Sequence, residues 1–234
     1  MGFWTKLVGG TAEEKTKTKN GKKVVTPKDL GVGLSATSLR AGNRLFQMFE
    51  DEGVVAQLSK EEQVRLALEL LLFELLCKGL ALTRFYGEEG HTASLFHVGA
   101  VLTTVAENSQ VEDVSSFLGA AFAQLESHRQ YYGQDIWDLL NLKSEEDAKK
   151  KPGLSLGFKI LEKLLNPVLG VPLEKPAMNQ EAGDDLQAVK RACEEAERRW
   201  ERIPKRVELA SHCFICAVTS LHSIKPFIDE FTLG

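Results

Sequence analysis

The chain has 234 residues, 43% of them hydrophobic and 26% charged, with a formal net charge of −4 and four cysteines. Residues 1–30 hold seven lysines against Glu13, Glu14 and Asp29, so a basic start precedes an acidic body, which speaks against a dedicated nucleic-acid protein with a basic folded face. The scattered cysteines, with no paired spacing beyond Cys213 and Cys216, predict a reducing cytoplasm without disulfides.

In chain order, Phe3, Trp4, Leu7 and Val8 share one side of a helical wheel before Gly9-Gly10, which is too short an apolar run for a secretory signal. With Lys17, Lys19, Lys22 and Lys23 nearby, Phe3, Trp4 and Leu7 form a candidate anchor on an anionic membrane surface, since stable attachment takes an apolar and a basic signal together. Docking on the body is the alternative. Asn20-Gly21 offers a small hairpin turn, with disorder as the other reading. Gly31-Val-Gly-Leu-Ser-Ala36 matches a dinucleotide-binding spacing, but Pro27 interrupts the only β-like residues upstream and a helix follows. The glycines therefore read as a flexible lead-in to a first helix over about 36–52, ending at Gly53.

Residues 60–86 are the most apolar stretch. Ser59 and Glu62 predict a capping box, Gly87 a stop, and the helix between should be central to the fold. Glu69, Glu74 and Lys78 interrupt it too often for a membrane span. Glu69 falls on the charged face with Glu61, Glu62, Arg65 and Arg84, whereas Glu74 and Lys78 lie nearly opposite, one turn apart and ideally placed to pair. After a turn over Gly87–Gly90, a third helix spans about 92–107 with Leu95, Phe96, Leu102 and Val105 inward, and Ser109 with Glu112 predicts the cap of a fourth ending at Gly133. A short helix then covers 135–142, with Trp137 as an anchor. Core positions expected along these segments are Leu70, Leu71, Phe73, Leu76, Phe117, Phe122 and, near the end of the chain, Phe214.

Residues 143–153 form a charged spacer, and Gly153-Leu-Ser-Leu-Gly157 is a literal G-x-S-x-G. A nucleophile elbow needs a strand before the serine, yet three lysines and Pro152 stand there, so Ser155 opens a helix that stops before Pro167. From Leu186 to Phe231, apolar residues alternate at three and four without a slip, which predicts one helix kinked at Pro204 or two helices in line. Leu186, Val189, Trp200 and Ile203 on its outer half form a candidate partner seam for self-association or another helix. The helix ending at Asn166 could instead cover the same strip from within.

Arg198, Arg199, Arg202, Lys205 and Arg206 resemble an anion patch, but Glu194, Glu195 and Glu201 precede three of them by four residues, which predicts a salt-bridged face. Cys213 and Cys216 read as core thiols, because a structural zinc would need four ligands. Only Glu88–His91 has the spacing of a carboxylate-bridged metal bundle, and it falls in the predicted turn. The sequence thus predicts an all-α protein, an antiparallel bundle of six to eight helices. Its segments are a tail over 1–34, a four-helix core over 35–142, the spacer, and a hairpin over 154–234 packed on that core. The expected function is a cytoplasmic, non-enzymatic interaction or scaffold module without cofactor or metal. Peripheral attachment by residues 1–25 at the inner membrane face is the alternative, and a helical enzyme or metal-binding bundle the third reading.

Overall fold

The computed structural model describes residues 18–19, 21–140, 153–171, 191, 194–195 and 197–234. The protein is mostly helical, with little sheet. Strands β1 (Thr18–Lys19) and β2 (Lys22–Val25) form a hairpin around Gly21, whose φ of +75° favours glycine. β2 also pairs in parallel with β3 (Phe231–Leu233) at the far end of the sequence. Helix α1 (Pro27–Asp51) follows directly.

The α1 helix begins at Pro27 rather than near residue 36. Thr26 accepts a hydrogen bond from the Asp29 amide at 3.1 Å, Pro27 supplies the first helical φ, and Asp29 faces the positive end of the helix. Gly31 is thus not a flexible lead-in but a buried helical residue. A Cβ there would lie 2.3 Å from the Ala93 carbonyl oxygen, so only glycine permits so close an approach.

Helix α2 (Lys60–Asn108) opens with the predicted capping box: the Ser59 amide donates to Glu62 at 2.7 Å and the Glu62 amide to Ser59 Oγ at 3.2 Å. At Gly87, φ of +62° breaks it into two arms. The arms fold back on one another, with Ser94 against Gly79 and Gly90 against the Leu82 carbonyl. Residues 88–91 are helical, not a turn. The second arm buries Ala93, Ser94, His97, Val98, Val101 and Leu102, while Leu95 and Phe96 face outward, contrary to expectation. Small and polar residues take the inner face because α1 comes so near.

Helix α3 (Val114–Leu140) is capped by Asp113, which accepts from the Ser116 amide at 3.0 Å, not by Ser109, which ends α2. It runs through Gly133, so the two helices expected over this stretch are one. Helix α4 (Gly153–Val168) contains Ser155, and Gly157 packs against the Ala210 carbonyl of α5 (Arg206–Glu230), where a Cβ would lie at 2.2 Å. Both glycine motifs therefore serve helix crossings.

Two apolar clusters hold these elements. One joins Leu34, Phe49, Phe73, Leu161, Leu164, Ile203, Leu209 and Cys213 across α1, α2, α4 and α5. The other joins Leu72, Leu75, Val98, Leu102 and Ala121 between the arms of α2 and α3. Leu70, Leu71, Phe73 and Leu76 are buried as predicted. Phe117, Phe122 and Phe214 are only half-buried, since each lies at the border of its helix stripe.

The continuous C-terminal helix is not observed. Helical structure ends at Glu201, residues 203–205 are non-helical, and Lys205 takes a left-handed φ of +46° before α5 starts. Proline removes the amide and clashes with the preceding turn, and here the chain yields fully rather than kinking. Arg206 returns to the break, donating to the Ile203 and Trp200 carbonyls and lying over the Trp200 ring at 5.6 Å.

Candidate functional site

Glu74 and Lys78, one turn apart on α2, are 0% and 1% exposed and meet as an ion pair at 2.8 Å. Burying two charges is costly unless their remaining bonding capacity is met. Lys78 Nζ donates to Thr37 Oγ1 at 2.9 Å and to Ser38 Oγ at 3.0 Å, both on α1. The ammonium thus makes two hydrogen bonds to hydroxyls and an ion pair with Glu74 Oε1, an oxygen that accepts no hydrogen bond of good geometry. On the opposite side, Glu74 Oε2 accepts from Ser220 of α5 and lies 3.9 Å from Cys216 Sγ. Burial still holds the Glu74 pKa above the usual carboxylate range, against the pull of Lys78.

His97 extends the network. Its Nδ1 lies 3.2 Å from the Gly31 carbonyl, an obligate acceptor, so that nitrogen carries the proton, and Nε2 accepts from Ser38 at 3.0 Å. Burial and the repulsion of Lys78 push the His97 pKa down to about 4. The sign of the consequence follows. A histidine whose folded pKa lies below its unfolded value of 6.5 makes the folded state bind fewer protons, so stability is lost as pH falls from about 6.5 towards 4. Urea midpoints measured between pH 7 and 4 should fall, and His97→Gln should flatten that part of the profile relative to the wild type.

A second buried pair joins α2 to α3. Glu69 accepts from His128 Nε2 and, at 2.9 Å, from Gln124. Glu69 is thus not on the charged surface face, because α3 covers it. Lys163 ties α4 to α3 through Asp135 and the Tyr131 carbonyl, both at 2.5 Å. Cys77 and Cys213 are buried and Cys216 half-buried. Burial raises all three thiol pKa values, that of Cys216 to about 12, so they are protonated, poorly nucleophilic core residues. Among the described residues, no group of three or more His, Cys, Asp or Glu is placed to hold a metal ion.

Of the predicted partner seam, Leu186 and Val189 lie outside the described residues. Trp200 and Ile203 face inward: Trp200 donates to Asn166 at 3.0 Å and Ile203 is 3% exposed, both against the end of α4. Beside them Arg199 pairs with Glu195, as expected, and also donates to the Leu169 and Gly170 carbonyls that end α4. Arg202 and Lys205 take partners from α2 and from the end of α1, Glu62 at 3.0 Å and Glu52 at 2.8 Å, instead of their own helix. A cleft of about 340 Å³ lies there, lined by Glu62, Leu169, Glu195, Arg198, Arg199 and Arg202. Its two glutamates pair with two of its three arginines, Arg199 and Arg202.

Phe3, Trp4, Leu7 and Lys17 of the candidate anchor lie outside the described residues, and Lys19 is placed only as part of β1. Lys22 donates to the Ile228 carbonyl at 2.6 Å, and Lys23 pairs with Glu230 at 3.0 Å while lying 5.8 Å from the Phe231 ring centre. Tyr86, beside the break in α2, donates to the Phe227 and Phe231 carbonyls at 3.3 Å. Two side chains distant in sequence thus complete the C-terminus of α5.

Sequence reasoning missed Thr37, Ser38, His97 and Ser220 as partners of the buried pair. A signal was present in α1, where Gly31, Leu34, Ser38, Gly42, Leu45 and Phe49 recur at three and four, a buried stripe with small residues where another helix must approach. No protein-family model, curated protein or solved structure matches this chain.

Proposed function

We propose that this protein is a non-enzymatic helical interaction or scaffold module. The observation that carries the reading is the outer face of α5. Val207 and Ile215 are each 53% exposed there, with half-buried Phe214 and Val218 on the same side and exposed Phe158 on the neighbouring α4. On a helical wheel Val207, Phe214, Ile215 and Val218 fall within about 100°, the width of a stripe that docks on another helix. An 18-residue window of α5 has a mean hydropathy of 1.3 and passes as a membrane span by length and composition alone. Its other side, with Leu209, Ala210, Cys213 and Ala217, packs in the core. In this reading the helices form an antiparallel bundle in the cytoplasm, preceded by a basic tail. The seam that pairs with a second copy or another helix then lies downstream of Pro204.

The test is the mass in solution. The wild type should rise above the 25.9 kDa of one chain as concentration increases. The double variant Val207→Glu/Ile215→Glu should stay at the monomer mass with its melting temperature little changed, because exposed positions tolerate charge within about 0.5 kcal/mol. A wild type that remains monomeric throughout would exclude self-association.

Attachment to an anionic membrane is the second reading. It is favoured by the hairpin at Gly21, which sets Lys22 and Lys23 side by side in one strand immediately after the segment holding Phe3, Trp4, Leu7 and Lys17. In that reading the protein works at the inner membrane face.

A further inference from the structure

We propose that β3 and the end of α5 form a latch that competes with an anionic lipid surface for Lys22 and Lys23, an inference that rests on the membrane reading. The lysines a basic anchor would present to lipid headgroups are occupied here by the protein's own C-terminal segment. Lys22 caps the Ile228 carbonyl at 2.6 Å, and Lys23 pairs with Glu230 at 3.0 Å. The backbone carrying them is paired over Lys23–Phe231, Val24–Thr232 and Val25–Leu233. A Lys23 charge neutralised by Glu230 and a Lys22 ammonium held on the Ile228 carbonyl offer less to lipid phosphates than the same groups released, so surface binding and latch closure oppose each other at these two groups.

The latch is built to open at moderate cost. β3 is three residues long, and so short a strand is weakly held. The Lys23–Glu230 pair is more than half exposed on both sides and is therefore screened by salt. What keeps it closed is buried Leu233, the Phe227–Phe231 ring contact at 6.2 Å and the Tyr86 hydroxyl on the Phe231 carbonyl. Opening removes β3 from β2 and withdraws one buried side chain of the strand, Leu233, from the main apolar cluster.

The experiment compares the full chain, a chain lacking residues 228–234, which removes β3 together with the Ile228 carbonyl and Glu230, and a chain lacking residues 1–17. Each is titrated with vesicles of phosphatidylcholine alone or with a third phosphatidylserine. Each lysine near an anionic surface contributes about fivefold in affinity, so freeing two should tighten binding to the serine-lipid vesicles by roughly 25-fold and leave binding to neutral vesicles unchanged. Hydrogen exchange on the unaltered protein is the second readout. Amides of Phe231–Leu233 should lose protection when vesicles are bound, while those of the first arm of α2 keep theirs. Equal vesicle affinity with and without β3, or vesicle-bound protein whose β3 amides stay protected, overturns the latch alone. Absence of serine-lipid binding by every form, or binding undiminished without residues 1–17, overturns the membrane reading and the latch with it.

Discussion

Lys78→Met lowers the unfolding free energy by about 3–5 kcal/mol at neutral pH, because it leaves the Glu74 carboxylate in the core without its counter-charge. The methylene stem is nearly conserved, so the loss is electrostatic rather than a cavity. The pH dependence separates this cause from a packing defect. Burial already raises the folded pKa of Glu74 above its ordinary value of 4.5, and without Lys78 the largest influence opposing that rise is gone. A carboxyl with a raised folded pKa binds more protons folded than unfolded, so its contribution is lost as pH rises above about 4.5. The difference between wild type and variant should therefore be smallest near pH 4 and grow towards pH 7, whereas a packing defect would be the same at both. Adding Glu74→Leu should recover most of the loss. Ser38 still donates to His97, Thr37 to the Leu34 carbonyl and Ser220 to the Cys216 carbonyl, so the double replacement strands no hydroxyl proton. Urea unfolding of the three variants at two pH values settles the matter. A double variant no more stable than Lys78→Met would refute the isolated-charge account.

Gly31→Ala is expected to cost about 3 kcal/mol, the upper end of overpacking penalties. The new Cβ would lie 2.3 Å from the Ala93 carbonyl and 2.9 Å from the His97 amide nitrogen, both backbone atoms that cannot turn aside, so α1 must move off the second arm of α2. The same shift would stretch the bond from His97 Nδ1 to the Gly31 carbonyl. Gly99→Ala is the matched control on the facing helix. Nothing lies within 4 Å of its Cβ position, and the substitution should stabilise by about 0.5–1 kcal/mol through helix propensity. Thermal melts of both variants measure the contrast; a neutral Gly31→Ala would mean that the crossing is looser than its geometry.

Much of this protein was legible along the chain because it depends on neighbours within a turn or two. The Ser59–Glu62 capping box, the stop at Gly87 and the Glu74–Lys78 pair follow from spacings of three or four residues, which a helix converts directly into contact. The same local logic failed where two signals competed. Pro204 sits in an unbroken apolar period that permits either a kinked helix or two helices; the structure shows that the lost amide outweighs the stripe, with Trp200 bonded to Asn166 of α4 and Ile203 buried at the break.

By itself, then, the sequence determined that the chain is helical, where α2 begins, and that α2 is its centre. Tertiary structure alone decided what those helices meet. Glu69 became a core residue because α3 crosses it, and Leu95 and Phe96 turned outward because Gly31 brings α1 against Ala93 and His97. Lys22 became a cap for α5 and Lys23 a partner of Glu230 because β2 finds β3 more than 200 residues away. The period of a helix says which residues share a face, but not which of two amphipathic faces a distant element will cover. That depends on long-range packing, where a carbonyl approached without a Cβ in the way, or a buried ammonium met by a carboxylate and two hydroxyls, outweighs local preference.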